Sequence, residues 1–457
     1  MSQPRTRSTA ASAPSPSRRL SAALPIPQAL TGSATLDAQS PAVYPSLHQS
    51  LALLGGLSPT QFMRRHWQKK PLLIRQAMAH LQPLQDRAGW FALAEREEVE
   101  SRLIVQKGQG EWSLRHGPFQ RRQLPPASRP GWTLLLQGMD LHLPAAHALM
   151  QRFRFLPDAR LDDLMVSWAS DGGGVGPHFD SYDVFLLQAT GKRRWRIGRQ
   201  KDLSLQPGMP LKILQHFEPE QEFVLEPGDM LYLPPRWAHD GVAVGGDCTT
   251  YSIGFRAPQR GGLAAELAQR ILDHYGEDAE EAGDSEGEMP DAGAATGRGT
   301  PDPVLYKDPT QPATGTPAAI PPALISFARD GLQRLLQQPQ ALECALGEVL
   351  TEPKPSVVFQ ACERPATWPP EPDQRAGARA GVGLGELVLD RRTRMMYDKH
   401  HIFINGEAFR AGGADARLMR KLADQRRLAP REWARASEGA LALLGDWLEA
   451  GWVEWVR

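Results

Sequence analysis

The residues best suited to chemistry are His178 and Asp180, in Gly176-Pro177-His178-Phe179-Asp180, together with His239, far downstream in Pro234-Pro235-Arg236-Trp237-Ala238-His239. In an extended strand, residues i and i+2 project from one face, so His178 and Asp180 point together while Phe179 turns into the opposite layer. One distant histidine completes a metal site. Two imidazoles and a carboxylate on one face of an ion leave its other face open, which suits an Fe(II) oxygenase that must bind a co-substrate and dioxygen together. A zinc hydrolase competes with that reading, because zinc also accepts three protein ligands plus water.

Arg193 tips the choice. In Lys192-Arg193-Arg194-Trp195-Arg196-Ile197 the parity of Trp195 and Ile197 places them inside, which carries Arg193 inside and sends Lys192, Arg194 and Arg196 out. An inward arginine in a barrel needs an anion. A dicarboxylate co-substrate supplies one that the guanidinium fork can hold bidentately; the competing reading is an internal salt bridge. Glu226-Pro227-Gly228-Asp229 reads as a turn delivering Met230 to Pro235 as a strand, after which the loop Pro234 to Ala238 holds His239 at the barrel mouth. The run Gly172-Gly173-Gly174-Val175-Gly176 is expected to let a peptide backbone approach the metal, and it fits neither Gly-x-Gly-x-x-Gly nor a P-loop. His116, His142, His147, His216, His400 and His401 read as surface or satisfied core.

The elements that must position these residues follow from pattern. From Trp132 to Phe255 short apolar runs such as Asp183 to Gln188 and Met230 to Pro234 alternate with Gly, Pro and Asp turns, which predicts an antiparallel barrel or jelly roll. Upstream, Ser58 is a candidate N-cap with Pro59 at the first position of a helix over Thr60 to Gln68. Downstream, helices are expected at Gly262 to Tyr275 and Ala323 to Gln338. In the second, Leu324, Phe327, Leu332, Leu335 and Leu336 recur at helical spacing, suiting a dimer contact or core packing. Short strands at Glu386 to Leu389 and His401 to Gly406, with helices at Asp415 to Gln425, Pro430 to Ala436 and Ala440 to Ala450, suggest a winged-helix-like module.

The expected class is therefore α+β. Residues 1–50 are expected to form a disordered tail, 51–258 the catalytic barrel, 259–345 a helical region with a flexible insertion at 276–322, 346–384 a linker and 385–457 the winged-helix-like domain. Lys+Arg and Asp+Glu both total 52 in 457 residues, so no whole-molecule field argues for nucleic acid or an anionic membrane. The basic run Arg391-Arg392-Thr393-Arg394 could touch nucleic acid, but a solvated face or a protein contact is favoured. Three widely spaced cysteines, no secretory h-region and no run of about 18 apolar residues suit a reducing cytoplasm and no membrane span.

Gly172 to Gly176, Pro177 to Phe185, Gly191 to Arg196 and Glu226 to His239 together closely resemble the bacterial ribosomal oxygenases, which are JmjC-type, cupin-fold (double-stranded β-helix) protein hydroxylases dependent on 2-oxoglutarate. Arg64 to Pro71 and His116-Gly117-Pro118-Phe119 match the family's N-terminal region. Within the family, the resemblance points to the arginine 3-hydroxylases of large-subunit ribosomal protein sixteen. It implies that His178, Asp180 and His239 coordinate Fe(II), that Arg193 binds the distal carboxylate of 2-oxoglutarate, and that Ser252 is a further co-substrate candidate. It also implies oxidative decarboxylation of 2-oxoglutarate to succinate and carbon dioxide with dioxygen, a helical dimerisation region making a homodimer, and a C-terminal winged helix. A substrate arginine entering over the glycines would need an acceptor, for which Asp171 and Tyr182 are candidates; Asp171 could instead begin a turn. A histidyl hydroxylase or lysyl demethylase of the same type, and a nucleic-acid-binding winged-helix protein, are the alternatives.

Overall fold

The computed structural model describes residues 46–108, 110–283, 305–309, 320–337, 341–361, 368–369, 371–379 and 385–456; most of the expected tail and insertion lie outside them. Helix α1 (Pro59–Arg65) starts on a reciprocal cap: the Ser58 hydroxyl accepts from the Gln61 N–H at 3.2 Å, and the Gln61 amide oxygen accepts from the Ser58 N–H at 3.0 Å. It stops short of the expected Gln68, whose left-handed φ of 55° aims its N–H at the Tyr232 hydroxyl, 2.8 Å away.

The catalytic region then runs β1 (Leu72–Ile74), α2 (Arg87–Leu93), β2 (Ser101–Gly108), β3 (Glu111–His116), β4 (Trp132–Leu136), α3 (Met139–His142) and α4 (Pro144–Gln151). It continues through β5 (Leu161–Ala169), β6 (Asp183–Gly198), β7 (Gln221–Leu225), β8 (Met230–Leu233) and β9 (Ala238–Phe255). Among the described residues nine strands pair antiparallel in the order β1-β8-β6-β9-β5-β4-β2-β3, with β7 on β6. Strands β6 and β9 pair from Asp183↔Phe255 to Gly198↔Ala238. Midway the register shifts twice, between Gln188 and Thr190 and again between Thr190 and Lys192, where Gly191 lies. Its φ is +64°, and an added Cβ would lie 3.0 Å from the Asp247 carbonyl, so a side chain there is strained.

That bulge changes which parity faces inward. Before it, Val184 and Leu186 point to the barrel interior; after it, Trp195 and Ile197 do, joined by Leu225, Leu231 and Leu233. The opposite face packs Phe185 and Leu187 into a second core with Phe62, Trp132, Trp168 and Tyr251. Burying each such side chain contributes about 2 kcal/mol. The sequence upstream of Ser101 belongs to this body as well: β1 extends the sheet beside β8, and the Gln68 amide donates to Asp183 at 3.0 Å.

Beyond the barrel come α5 (Arg260–Gly283), α6 (Pro322–Gln337), α7 (Ala341–Thr351) and α8 (Pro372–Arg379). The last module has β10 (Glu386–Leu389), β11 (Met395–Tyr397), β12 (His401–Ile404), β13 (Glu407–Arg410) and α9 (Gly413–Gln425), then β14 (Arg427–Leu428), α10 (Pro430–Trp433), α11 (Glu438–Glu449) and β15 (Val453–Val456). Helix α5 continues into the segment expected to be flexible, and α8 occupies the expected linker. The expected boundary at 345/346 falls inside α7, whose Gly347 lies so close to the Phe403 ring that an added Cβ would be 2.3 Å from it.

The basic run is turned to protein. Arg391 Nε donates to the Leu141 carbonyl at 2.8 Å, Arg394 to the Leu161 carbonyl at 3.1 Å, and Arg392 is paired with Asp390. From the barrel side, Arg154 donates to the carbonyls of Asp424 and Ala423 at 2.6 and 3.0 Å. No helix among the described residues is long and apolar enough to cross a membrane.

Candidate metal centre and co-substrate site

His178 and Asp180 do not sit in a regular strand. Gly176, at φ +78°, and Pro177, with no N–H, interrupt the ladder, and the segment touches β9 through one bridge: His178 and His239 exchange backbone hydrogen bonds of 2.9 and 2.8 Å. A second clamp holds Asp180, whose carbonyl accepts from the Arg236 N–H at 2.7 Å. The His239 loop is thus tied to the His178 loop on both sides of the carboxylate. The two imidazole centroids are 4.2 Å apart.

Each histidine is fixed in one tautomer. His178 Nδ1 faces the Gly176 carbonyl at 2.8 Å and His239 Nδ1 the Trp237 carbonyl at 2.9 Å; a carbonyl can only accept, so Nδ1 carries the proton and Nε2 keeps its lone pair. Burial, with the His178 ring beside it, pushes His239 down to about 4, so it is neutral near pH 7. His239 Nε2 lies 3.6 Å from Asp180 Oδ2, and the three ligand atoms all fall within 4.8 Å of one another. Two imidazole nitrogens and a carboxylate oxygen suit a divalent first-row cation and leave its opposite face open.

One tryptophan away, on the same inner face, is Arg193. Its guanidinium lies 5.7 Å from the Trp195 ring centroid, and that ring lies 5.9 Å from the His239 ring. Arg193 is 3% exposed, and no carboxylate pairs with it among the described residues: Nη2 donates to Ser167 Oγ at 3.2 Å and Nε to Cys248 Sγ at 3.5 Å. An internal salt bridge is therefore not what this cation is for. A buried guanidinium without a counter-ion costs several kcal/mol, and a dicarboxylate ligand would offset it.

Ser252 is nearly buried on β9, opposite Leu186 and Met165, and shares the parity of Cys248 and Thr250. Tyr182 is partly exposed, and burial together with the neighbouring Asp180 carboxylate holds its phenol above the usual range. Asp171 is exposed, and one carboxylate oxygen accepts from the Gly245 N–H at 2.8 Å. That bond ties Asp171 to β9 across the sequence rather than capping a local turn, and leaves its second oxygen for a cation. The glycine run differs from expectation: a Cβ on Gly173 would lie 2.3 Å from the Trp132 carbonyl, and one on Gly174 2.6 Å from the Gly241 carbonyl. These two glycines let the chain pack against its own backbone rather than opening a path for a peptide.

His401 is satisfied core, buried with Asp398 at 3.2 Å and Cys344 Sγ at 3.4 Å, and His216 is exposed beside Asp202. Gln188, Cys248 and Ser167, which surround Arg193, were not singled out by sequence pattern. The one signal was Gln188, a polar residue closing the apolar run Val184-Phe185-Leu186-Leu187.

A JmjC domain model matches residues 148–263, and a ROXA-like winged helix model matches residues 334–454. The chain is 34% identical over 354 residues to the ribosomal protein uL16 3-hydroxylase of Escherichia coli (strain K12), covering 76% of this chain and 84% of that protein. The crystal structure of Escherichia coli ycfD superposes with a TM-score of 0.70 at 30% identity, over 87% of this chain and 98% of that one. The structure of the Escherichia coli ribosomal oxygenase YcfD in complex with cobalt and 2-oxoglutarate gives 0.68 at 29% identity, with the same coverage.

Proposed function

The chain belongs to the JmjC-type ribosomal oxygenases, and on that premise we propose that it hydroxylates an arginine side chain of a large-subunit ribosomal protein, uL16, using Fe(II), 2-oxoglutarate and dioxygen. The observation that carries this reading is the pairing of the His178–Asp180–His239 cluster with a buried arginine on the same inner face that has no counter-ion among the described residues. When bound, the metal with 2-oxoglutarate and dioxygen supplies the oxidant that places one oxygen atom on a substrate carbon, leaving succinate and carbon dioxide. His178 and His239 present Nε2, Asp180 presents a carboxylate oxygen, and the two backbone carbonyls behind the imidazoles keep them aimed. Arg193 anchors the distal carboxylate, and Ser252, on the face of β9 that carries Cys248, is the further co-substrate residue we assign. The apolar residues Leu231, Leu233 and Trp195 exclude water, which strengthens each charge contact inside the barrel.

On the substrate side, the free oxygen of Asp171 and the Tyr182 phenol are the acceptors we assign to the incoming guanidinium. Leu324, Ile325, Phe327, Leu332 and Leu336 on α6 are exposed, and a second copy of the chain covering that apolar row would make the homodimer. Light scattering on the full chain measures it. Acting on a ribosomal protein fits a cytoplasmic site. The test of the function is intact-mass analysis of ribosomal proteins from cells with and without this protein. A gain of one oxygen on an arginine of uL16 supports the reading; oxygen on a histidine, loss of a methyl group from lysine, or no change overturns it.

A further inference from the structure

Arg193 is held by buried side chains, none of them a carboxylate, and the amide that supports them has one orientation. Gln188 is fully buried; its Nε2 donates to the Thr190 carbonyl at 2.8 Å, and its Oε1 accepts from the Thr250 hydroxyl at 3.0 Å. Flipping the amide would set two oxygens against each other, so the amide has one orientation. In that orientation Nε2 also points at Cys248 Sγ, 3.3 Å away, and the sulfur in turn accepts from Arg193 Nε at 3.5 Å. Ser167 Oγ takes Nη2 from the other side. Two of the guanidinium's N–H groups are thereby spent on uncharged atoms, its plane is set, and its remaining donors and its whole charge are left over.

A carboxylate in place of Cys248 would hold the side chain as firmly but neutralise it. A neutral cradle does the reverse: it orients the fork and reserves the charge for an incoming carboxylate. We propose that Gln188 and Cys248 are positioning residues of the co-substrate site, orienting Arg193 through the thiol and making a distal carboxylate the feature by which the site selects its 2-oxo acid. This rests on the reading of Arg193 as the anchor of that carboxylate.

The experiment measures 2-oxoglutarate binding to the full chain loaded with Mn(II), by calorimetry, alongside 2-oxopentanoate, which has the same length without the distal carboxylate. Gln188→Leu and Cys248→Ala are each expected to raise the Kd for 2-oxoglutarate about tenfold, the loss of orientation at a charged hydrogen bond. Cys248→Ser, which restores an acceptor, should come back to within about threefold of the parent. Cys248→Asp should remove the preference for 2-oxoglutarate over 2-oxopentanoate, while Mn(II) affinity stays at the parent value in all four. In turnover the effect should fall on the KM for 2-oxoglutarate and not on kcat. Parent-like affinity in both Gln188→Leu and Cys248→Ala overturns the proposal, as does a joint loss of metal and 2-oxoglutarate binding in Cys248→Ala that Cys248→Ser does not repair. Arg193→Ala separates the two levels: if it leaves 2-oxoglutarate binding unchanged, the anchor reading fails; if it weakens binding while the cradle variants do not, the anchor stands and the cradle fails.

Discussion

Replacing Gly241 with alanine tests whether the centre of the barrel is as tightly built as its contacts imply. An added Cβ would lie 2.5, 2.6 and 2.8 Å from three atoms of the Trp195 six-membered ring, well inside van der Waals contact. Trp195 is 5% exposed and packed among Val184, Leu186, Leu231 and Leu233, so the ring cannot swing aside without displacing them. Overpacking of this kind costs about 1–3 kcal/mol. The displacement would also be transmitted, because the same ring separates the Arg193 guanidinium from the His239 imidazole. Gly241→Ala should therefore lower the melting temperature and weaken 2-oxoglutarate binding together. Gly262→Ala is the internal control: it lies in α5 with nothing within 4 Å of its added Cβ, and helix propensity favours alanine by about 1 kcal/mol. If Gly241→Ala melted with the parent and bound 2-oxoglutarate equally well, the packing account of the site would be wrong.

Three further outcomes are expected. His178→Ala should abolish Mn(II) binding in calorimetry and 2-oxoglutarate turnover, and full turnover would dismiss the ligand assignment. Asp140, buried and accepting from the Leu164 N–H at 2.9 Å, has its carboxyl raised from 3.8 to about 7 by burial and by the Asp163 carboxylate. The folded protein thus holds this proton more tightly than the unfolded chain, so its contribution is favourable at low pH and is lost as pH rises from about 4 to about 7, by about 2–4 kcal/mol. Asp140→Asn, which keeps an acceptor for Leu164, should gain melting temperature over the parent at pH 8 but not at pH 4; identical pH profiles would count against the buried acid. Asp171→Ala should lose hydroxylation of an arginine-containing uL16 peptide while retaining uncoupled 2-oxoglutarate decarboxylation, and unchanged peptide kinetics would remove Asp171 from the substrate site.

The inward direction of Arg193 was legible because strand parity was taken from its immediate neighbours, Trp195 and Ile197. Extended from Val184 and Leu186 across the Gly191 bulge, the same alternation would have turned Arg194 inward. Local period survives in sequence; the irregularity that resets it shows only as Gly191 and, on the facing strand, Gly245-Gly246. His178 and Asp180 were legible as a pair although the strand assumed for them is one bridge long, because their spacing and the returning His239 loop do the work that a ladder would. The glycine run was misread for a physical reason: a missing side chain records that something is close, without saying whether it is a ligand or the chain's own Trp132 and Gly241 carbonyls. The cradle of Arg193 was invisible because Gln188 and Cys248 are 60 residues apart and neither type is unusual in a strand. The seat of α7 against Phe403 was not legible because α7 has an ordinary helical pattern and its packing is a tertiary fact.

The arginines joining the winged helix to the barrel divide mutational risk unevenly. Arg391, Arg394 and Arg154 all donate to main-chain carbonyls, those of Leu141, Leu161, Asp424 and Ala423. A carbonyl is present whatever side chain its residue carries, so the receiving surfaces can drift in sequence without deleting an acceptor. For these contacts sensitivity lies in the three donors, where a change even to lysine would surrender the planar fork, whereas the Lys354–Asp163 ion pair, 3.1 Å, needs both of its side chains. The arginine part of this attachment can therefore persist in chains whose facing surfaces no longer look alike, for as long as those three arginines persist.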